Sequence, residues 1–199
     1  MTFLSFDINE FCERSACDTS ELFRVLTPIK QDAWCAGGAI RRTLIKQPLD
    51  SDFDFFFRDS GHMDTWESGL PSTLKQVRET EHHKHWRGPI GESDIAVDIQ
   101  AINFKYYKSA EDVIDSFDYT ITQFALEENT LVTTPYALWD LGRRKLAIHR
   151  VTYPVATMRR MLKYTQQGFT ACGGCMAQLM RDTASSPEAM ANLDLEYVD

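Results

Sequence analysis

Along residues 7–26, Ile8, Phe11, Cys12, Leu22, Phe23 and Leu26 recur near helical spacing, which predicts an amphipathic helix. Ala33-Trp34-Cys35-Ala36 is a short apolar run that stops at Gly37-Gly38. It predicts a buried strand, followed by a helix over 39–46 that Pro48 ends. Residues 52–57 predict a second strand with carboxylates at alternate positions. A helix is expected over 71–78 and a polar strand over 79–86, before Gly88-Pro89 and Gly91 turn the chain. Residues 94–102 predict a central strand, with Asp98 set among apolar neighbours. Residues 118–134 read as further strand or helix-edge material, and helices are expected over 135–142, 152–167 and 171–182. Glu188 to Asp199 carries four acids and no bases, the pattern of a mobile tail.

These elements predict an α/β (α+β) fold in which a short mixed sheet is flanked by helices. At 199 residues the chain suits one compact unit. Residues 1–150 are expected to form the main domain, 151–184 a small helical portion and 185–199 an acidic tail. The chain has no run of about 18 apolar residues, and its first residues carry acids where a signal peptide carries bases, so a cytoplasmic location is expected. The five cysteines then read as reduced thiols. Cys172-Gly-Gly-Cys175 has the spacing of half a zinc site but no second pair follows, so incidental thiols are expected. His82, His83 and His85 read as part of a solvated hairpin rather than a metal site, because adjacent strand residues face opposite sides.

The formal charge of −8 argues against a broad nucleic-acid surface, but its distribution is uneven. Between Asp140 and Lys163 lie seven bases and one acid, leaving −14 on the remainder. One positive patch on an acidic protein suits a compact polyanion such as a nucleoside triphosphate. Within it Arg159, Arg160 and Lys163, together with Arg41 earlier in the chain, are candidate phosphate ligands.

The candidate chemistry lies in Gly37-Gly38-Ala39-Ile40-Arg41-Arg42, followed by Asp50-Ser51-Asp52-Phe53-Asp54-Phe55. Two glycines after a strand let the backbone approach a phosphate closely. Asp52 and Asp54, two apart on a strand, point to one face, and their mutual repulsion is relieved by a cation. Mg²⁺ favours such hard oxygen ligands together with substrate phosphates. Asp98 on an adjacent strand would complete a site for two ions, Mg²⁺ or Mn²⁺.

This ordered set resembles the polymerase-beta-like nucleotidyltransferase superfamily, and more closely the head domain of bacterial poly(A) polymerases and CCA-adding enzymes. That family shows Gly-Gly, Val-Arg-Asp and then Asp-x-Asp. Its later Asp-Phe-Thr-Ile-Asn-Ala and Arg-x-Leu segments are similar to Asp118-Tyr119-Thr120-Ile121-Thr122-Gln123 and Arg144-Lys145-Leu146 here. Its following helix is similar to Arg160-Met161-Leu162-Lys163-Tyr164, then Gly168-Phe169. The resemblance covers about residues 33–169. It implies catalytic, metal-holding roles for Asp52, Asp54 and Asp98, and nucleotide binding by Gly37, Gly38, Arg41, Asp118, Arg159, Arg160 and Lys163. Three features depart from the family. Arg42 stands for its aspartate, and Ser116-Phe117 for its paired arginines. Tyr153 to Thr157 replaces the Glu-Asp-x-x-Arg segment that selects bases, so CCA addition itself is not expected.

The function so implied is transfer of a nucleotidyl group from an NTP or dNTP to a hydroxyl, with release of pyrophosphate. The acceptor would be the chain's own tail, an oligonucleotide or a tRNA. The small acidic head domain resembles antiphage nucleotidyltransferases of the Hailong type. That resemblance implies untemplated synthesis of short oligonucleotides as a defence signal, self-primed on Tyr197, and a partner protein encoded in the same operon. Two other readings remain open at this stage: a toxin-like enzyme that nucleotidylates tRNA or protein, and a non-catalytic nucleotide-binding protein. No membrane partner is expected.

Overall fold

A computed structural model of the chain describes residues 1–29, 33–91 and 93–185. The chain opens with strand β1 (Leu4–Asp7), helix α1 (Ile8–Ser15) and helix α2 (Ser20–Leu26). Strand β2 (Trp34–Ala36), helix α3 (Gly38–Leu44), strand β3 (Phe53–Phe56) and helix α4 (Ser60–Ser68) follow. Strands β4 (Lys75–Glu79), β5 (His83–Pro89) and β6 (Ala96–Ile102) precede helix α5 (Ala110–Asp115). After a 3₁₀ turn at Thr120–Thr122 come β7 (Phe124–Glu127), β8 (Thr130–Thr133), α6 (Pro135–Gly142) and β9 (Lys145–Leu146). Helix α7 (Pro154–Gln166), β10 (Thr170–Ala171) and α8 (Gly173–Ala184) complete the described chain.

Eight strands form one mixed sheet in the order β1-β8-β7-β2-β3-β6-β5-β4, longer than the short sheet expected from the sequence. Next to its central pair β2–β3 lies the parallel pair β3–β6, in which Phe53, Asp54 and Phe55 stand beside Ile99, Gln100 and Ala101. The two faces are filled differently. On one face Phe53, Phe55, Trp86, Ile99 and Ala101 join a large apolar cluster with Leu22, Ile40 and Trp66, so α2, α3 and α4 seal that side. On the other, Trp34, Ala36, Phe56, Ala125 and Val132 pack against Ala110, Val113 and Ile114 of α5. α5 covers this second face only over the β8-β7-β2-β3 half. Beyond it, the β6-β5-β4 half carries Asp98, Gln100, His83, His85 and Arg87, none of them fully buried.

Four expectations are corrected. The single helix over 7–26 is two helices: Ala16 ends α1 in the left-handed region at φ 51°, and the chain folds back. That turn brings Cys12 and Cys17 to a Cα–Cα distance of 4.6 Å, and a disulfide joins them, so only Cys35, Cys172 and Cys175 are free thiols. The helix expected over 71–78 lies earlier, at α4, where the Asp59 side chain caps it by accepting from the His62 backbone N–H at 2.9 Å. Residues 75–79 instead form the outermost strand, exposed throughout. The polar strand expected over 79–86 is shifted to His83–Pro89 and makes a hairpin with it. No helix among the described residues is long and apolar enough to cross a membrane.

Candidate active site

Strand alternation builds the site. Phe53 and Phe55 face the sealed side and are buried. Asp54 therefore faces the half-open side, and Asp52, one residue ahead of β3, does the same. The parallel register sets Gln100 beside Asp54, and Gln100 Nε2 donates to Asp52 Oδ2 at 2.7 Å. Asp98 lies two residues earlier on the same face of β6. His85, on the neighbouring strand, brings Nε2 to 2.8 Å from Asp98 Oδ1, and Arg87 Nε stands 3.9 Å from the same oxygen.

A ligand atom from each of Asp52, His85 and Asp98 can be chosen so that all lie within 4.8 Å of one another, a spacing able to hold a metal ion. His85 was set aside on sequence grounds, and its role is legible only once the hairpin register places it against Asp98. Asp54 is not part of that triplet, yet its carboxyl is pushed up to about 7, first by burial and then by the charge of Asp52. Such a carboxyl is held in its neutral form against its intrinsic preference, a state that a bound cation reverses. The triplet's donor set, two carboxylates and one imidazole, suits a divalent metal ion, with the Asp54 carboxyl on the same face.

Beside the carboxylates lies a cleft of about 450 Å³ whose lining includes Gly37, Gly38, Asp52, Asp54, Asp118 and Arg160. Gly37 sits at φ 87°, ψ −121°, a conformation that a side chain strains, and its N–H donates to the Phe124 carbonyl at 2.8 Å. The turn that delivers Gly38 to the cleft is thereby fixed to β7. Across the cleft, Arg160 Nη1 donates to Asp118 Oδ2 at 2.7 Å, and Arg150, paired with Asp115, adds a second guanidinium to the wall. Arg150 was missed in the sequence because nothing local distinguishes it from its basic neighbours.

The other expected phosphate ligands divide. Lys163 is exposed on α7 and its charge is felt at Asp54. Arg159 is exposed but is not among the residues lining the cleft. Arg41 does not face the cleft. It is 2% exposed, with its guanidinium 4.7 Å from the Tyr164 ring centroid and 5.4 Å from that of Phe169. Its Nη2 donates to Gln167 Oε1 at 2.7 Å. Arg41 thus ties α3 to α7, which corrects its expected role. Tyr197 lies outside the described residues.

Residues 3–144 match the family described as "Gabija anti-defense 2 family protein". The chain belongs to this family. A curated relative, "Gabija anti-defense 2" of Bacillus phage SPbetaL7, is 26% identical over 149 residues, covering 71% of this chain and 34% of that protein. Among solved structures, the Thermotoga maritima CCA-adding enzyme complexed with tRNA superposes with a TM-score of 0.60 at 16% identity, over 91% of this chain and 46% of that one. A CCA-adding enzyme complexed with CTP gives a TM-score of 0.60 at 15% identity, over 94% and 46%. The chain therefore has the nucleotidyltransferase fold. It spans about a third of the curated relative and about half of these solved chains.

Proposed function

We propose that this Gabija anti-defense 2 family member is a metal-dependent nucleotidyltransferase that moves a nucleotidyl group from an NTP or dNTP to a hydroxyl. The observation that carries this reading is the grouping of Asp52, Asp54 and Asp98 on the open half of a sheet face, beside a cleft bordered by Gly37, Gly38 and Arg160. Two bound Mg²⁺ or Mn²⁺ ions would supply activation of the acceptor hydroxyl and neutralisation of the leaving pyrophosphate. Asp52, Asp54, Asp98 and His85 would hold them. In the cleft, Arg160 and Arg150 would face the triphosphate, with Arg160 exchanging its bond to Asp118 for a phosphate oxygen, while Lys163, exposed on α7 and outside the cleft lining, would add its charge from that helix. The acceptor oxygen bonds to the α-phosphorus, the α–β phosphoanhydride breaks, and pyrophosphate leaves. With Asp98 and His85 engaged as metal holders, the acceptor proton would pass to solvent water at the open side.

The CCA-adding neighbours lend support through the fold, and one of them was solved with CTP and another with tRNA. The family name favours a role against a host defence system, the opposite sense to the defence signal that the Hailong resemblance implied. In this setting the product would counteract the defence, by short untemplated oligonucleotides or by a tagged hydroxyl. Tyr197, the expected self-priming residue, remains an acceptor of this proposal alone.

The test is to incubate pure protein with each labelled NTP and dNTP plus Mg²⁺, and to run a nucleic-acid gel beside a protein gel. Label in free oligomers supports untemplated synthesis, and label on the protein that Tyr197→Phe removes supports self-priming. Label on neither, with any nucleotide, acceptor RNA or DNA, overturns the catalytic reading.

A further inference from the structure

One motif of the sequence lies apart from the residues that line the nucleotide cleft. Cys172-Gly173-Gly174-Cys175 opens helix α8, with Cys172 at its N-cap in an extended conformation (φ −86°, ψ 164°). Cys172 Sγ accepts from the Cys175 backbone N–H at 3.4 Å, so the sulfur is folded back over the first turn. Cys172 is exposed, whereas Cys175 is buried, in one apolar cluster with Tyr164, Phe169 and Leu179. The glycines between them keep the approach clear. A Cβ on Gly173 would meet nothing within 4 Å, and one on Gly174 would meet Cys172 Sγ at 3.7 Å.

The two thiols differ in the way that a stepwise exchange requires. The Cys175 and Gly174 backbone N–H groups hold the Cys172 thiol below the ordinary thiol range, and the charge of Lys145 adds to this. In such a setting a thiolate is available to attack. Burial, and then the Cys172 charge, pushes the Cys175 thiol up, with the Ile148 backbone N–H in partial opposition. Cα atoms three residues apart on a helix lie about 5 Å from one another, inside the roughly 4.4–6.8 Å that a disulfide spans. The third free thiol, Cys35, is buried in β2 and pushed up by that burial, which keeps it out of any exchange. A structural zinc ion takes four ligands, and the pair has no others. Among the described residues, the one group of three or more potential ligands within metal-holding reach is Asp52, His85 and Asp98.

We infer that Cys172 and Cys175 are a redox-active dithiol that exchanges with low-molecular-weight disulfides, Cys172 as the attacking sulfur and Cys175 as the resolving one. The inference stands apart from the nucleotidyl-transfer reading. The Cys172 thiolate attacks one sulfur of a disulfide R–S–S–R. That S–S bond breaks, Cys172–S–S–R forms, and R–S⁻ leaves and takes up a proton from water. The Cys175 thiol then gives its proton to water and attacks the Cys172 sulfur, and the second R–S⁻ leaves in the same way. Two protein thiols are oxidised to one disulfide while one small disulfide is reduced to two thiols. Burial sets the order. A small disulfide meets Cys172 from solvent, and Cys175 meets the Cys172 sulfur from below, across the first turn of α8.

The test exposes the purified, reduced protein to oxidised glutathione over a series of times, quenches with acid, alkylates the remaining thiols and maps the peptides by mass spectrometry. Mapping separates a Cys172–Cys175 bridge from the Cys12–Cys17 disulfide. Wild type is expected to gain the Cys172–Cys175 bridge, with glutathione on Cys172 only in passing. Cys175→Ala should hold glutathione on Cys172 to the end of the series. In Cys172→Ser, glutathione should reach Cys175 roughly tenfold more slowly than it reaches Cys172 in wild type, or not at all. Serine is itself a favoured N-cap, so this variant should fold like wild type, and melting curves check both variants. Glutathione that stays on Cys172 of the wild type overturns the proposal, because Cys175 then resolves nothing. Labelling of Cys175 in Cys172→Ser as fast as that of Cys172 in wild type overturns it too, since local opening rather than the exposed sulfur then starts the exchange. No reaction at either cysteine shows two inert thiols and also overturns it. If Cys175→Ala fails to fold, the wild-type and Cys172→Ser arms decide alone.

Discussion

His85 Nε2 lies 2.8 Å from Asp98 Oδ1, so a hairpin histidine is tied to a carboxylate of the interior strand β6. Whether the imidazole binds an ion or orients Asp98, removing it loosens the site. His85→Ala is expected to lower Mn²⁺ affinity by roughly 10–100-fold, the range for a metal-orienting partner. Titration calorimetry with Mn²⁺ reads this directly, and an unchanged affinity would separate His85 from the metal site.

Asp54 gives a pH signature. Folding favours its protonated form, raised to about 7 by burial and by Asp52. The metal-free protein therefore loses stability from this group as pH climbs from the ordinary carboxylate range to about 7, and loses no more above that. Asp54→Asn should melt higher than wild type at pH 8 and nearly with it at pH 5. With partial exposure discounted, the difference at pH 8 is roughly 1–2 kcal/mol. The same variant should lack transfer activity at every pH. An equal shift in melting temperature at both pH values would show that Asp54 titrates normally.

The two glycines separate conformation from space. Gly37 holds φ 87°, ψ −121°, so Gly37→Ala should cost about 1–3 kcal/mol in chemical denaturation. At Gly38 an added Cβ would meet Ser51 Oγ at 3.5 Å, an ordinary contact, so Gly38→Ala should fold like wild type. Its effect is expected in triphosphate affinity, where the methyl borders the cleft. Equal stability of the two variants would mean that the turn at Gly37 relaxes.

Arg41 and Arg160 were grouped together by charge, and the structure parts them. Arg41→Met keeps an apolar stem between Tyr164 and Phe169 and should leave triphosphate affinity within about twofold, since buried ionic groups exchange for apolar ones at little cost. Arg160→Ala removes a cleft guanidinium and should weaken triphosphate binding more than monophosphate binding. Loss of binding in Arg41→Met with the fold intact would return Arg41 to the site.

The parts of the site that the sequence made legible are those governed by strand period. Asp52, Asp54 and Asp98 announce themselves because acids at alternate positions among Phe53, Phe55, Val97 and Ile99 have one physical arrangement, acid side open and apolar side sealed. His85 was illegible because its partner is set by a hairpin register, and Lys75-Gln76-Val77-Arg78-Glu79 has no alternation to mark it as a strand. An edge strand exposed on both sides needs none. Arg41 misled for another reason: charge in a sequence does not say whether a guanidinium meets a phosphate or an aromatic ring. The break between α1 and α2 was hidden because Cys12 and Leu22 fit one helical stripe, while the reversal at Ala16 depends on backbone angles and a disulfide.

The wall of the cleft that carries Arg160 is not a separate flap. Met161, Tyr164, Phe169, Cys175 and Leu179 belong to the same apolar cluster as Ile8, Phe53 and Ile99. Loosening α7 from the sheet would mean exposing part of the central core to water. Backbone amides of α7 should therefore exchange with deuterium at the same slow rate as those of β3, and a protease should find no early cut between residues 150 and 160. On the proposed reading, specificity for the incoming nucleotide would then be set by a rigid mould, retuned through cleft-lining side chains such as Tyr153 and Thr152 without disturbing the fold's cooperativity.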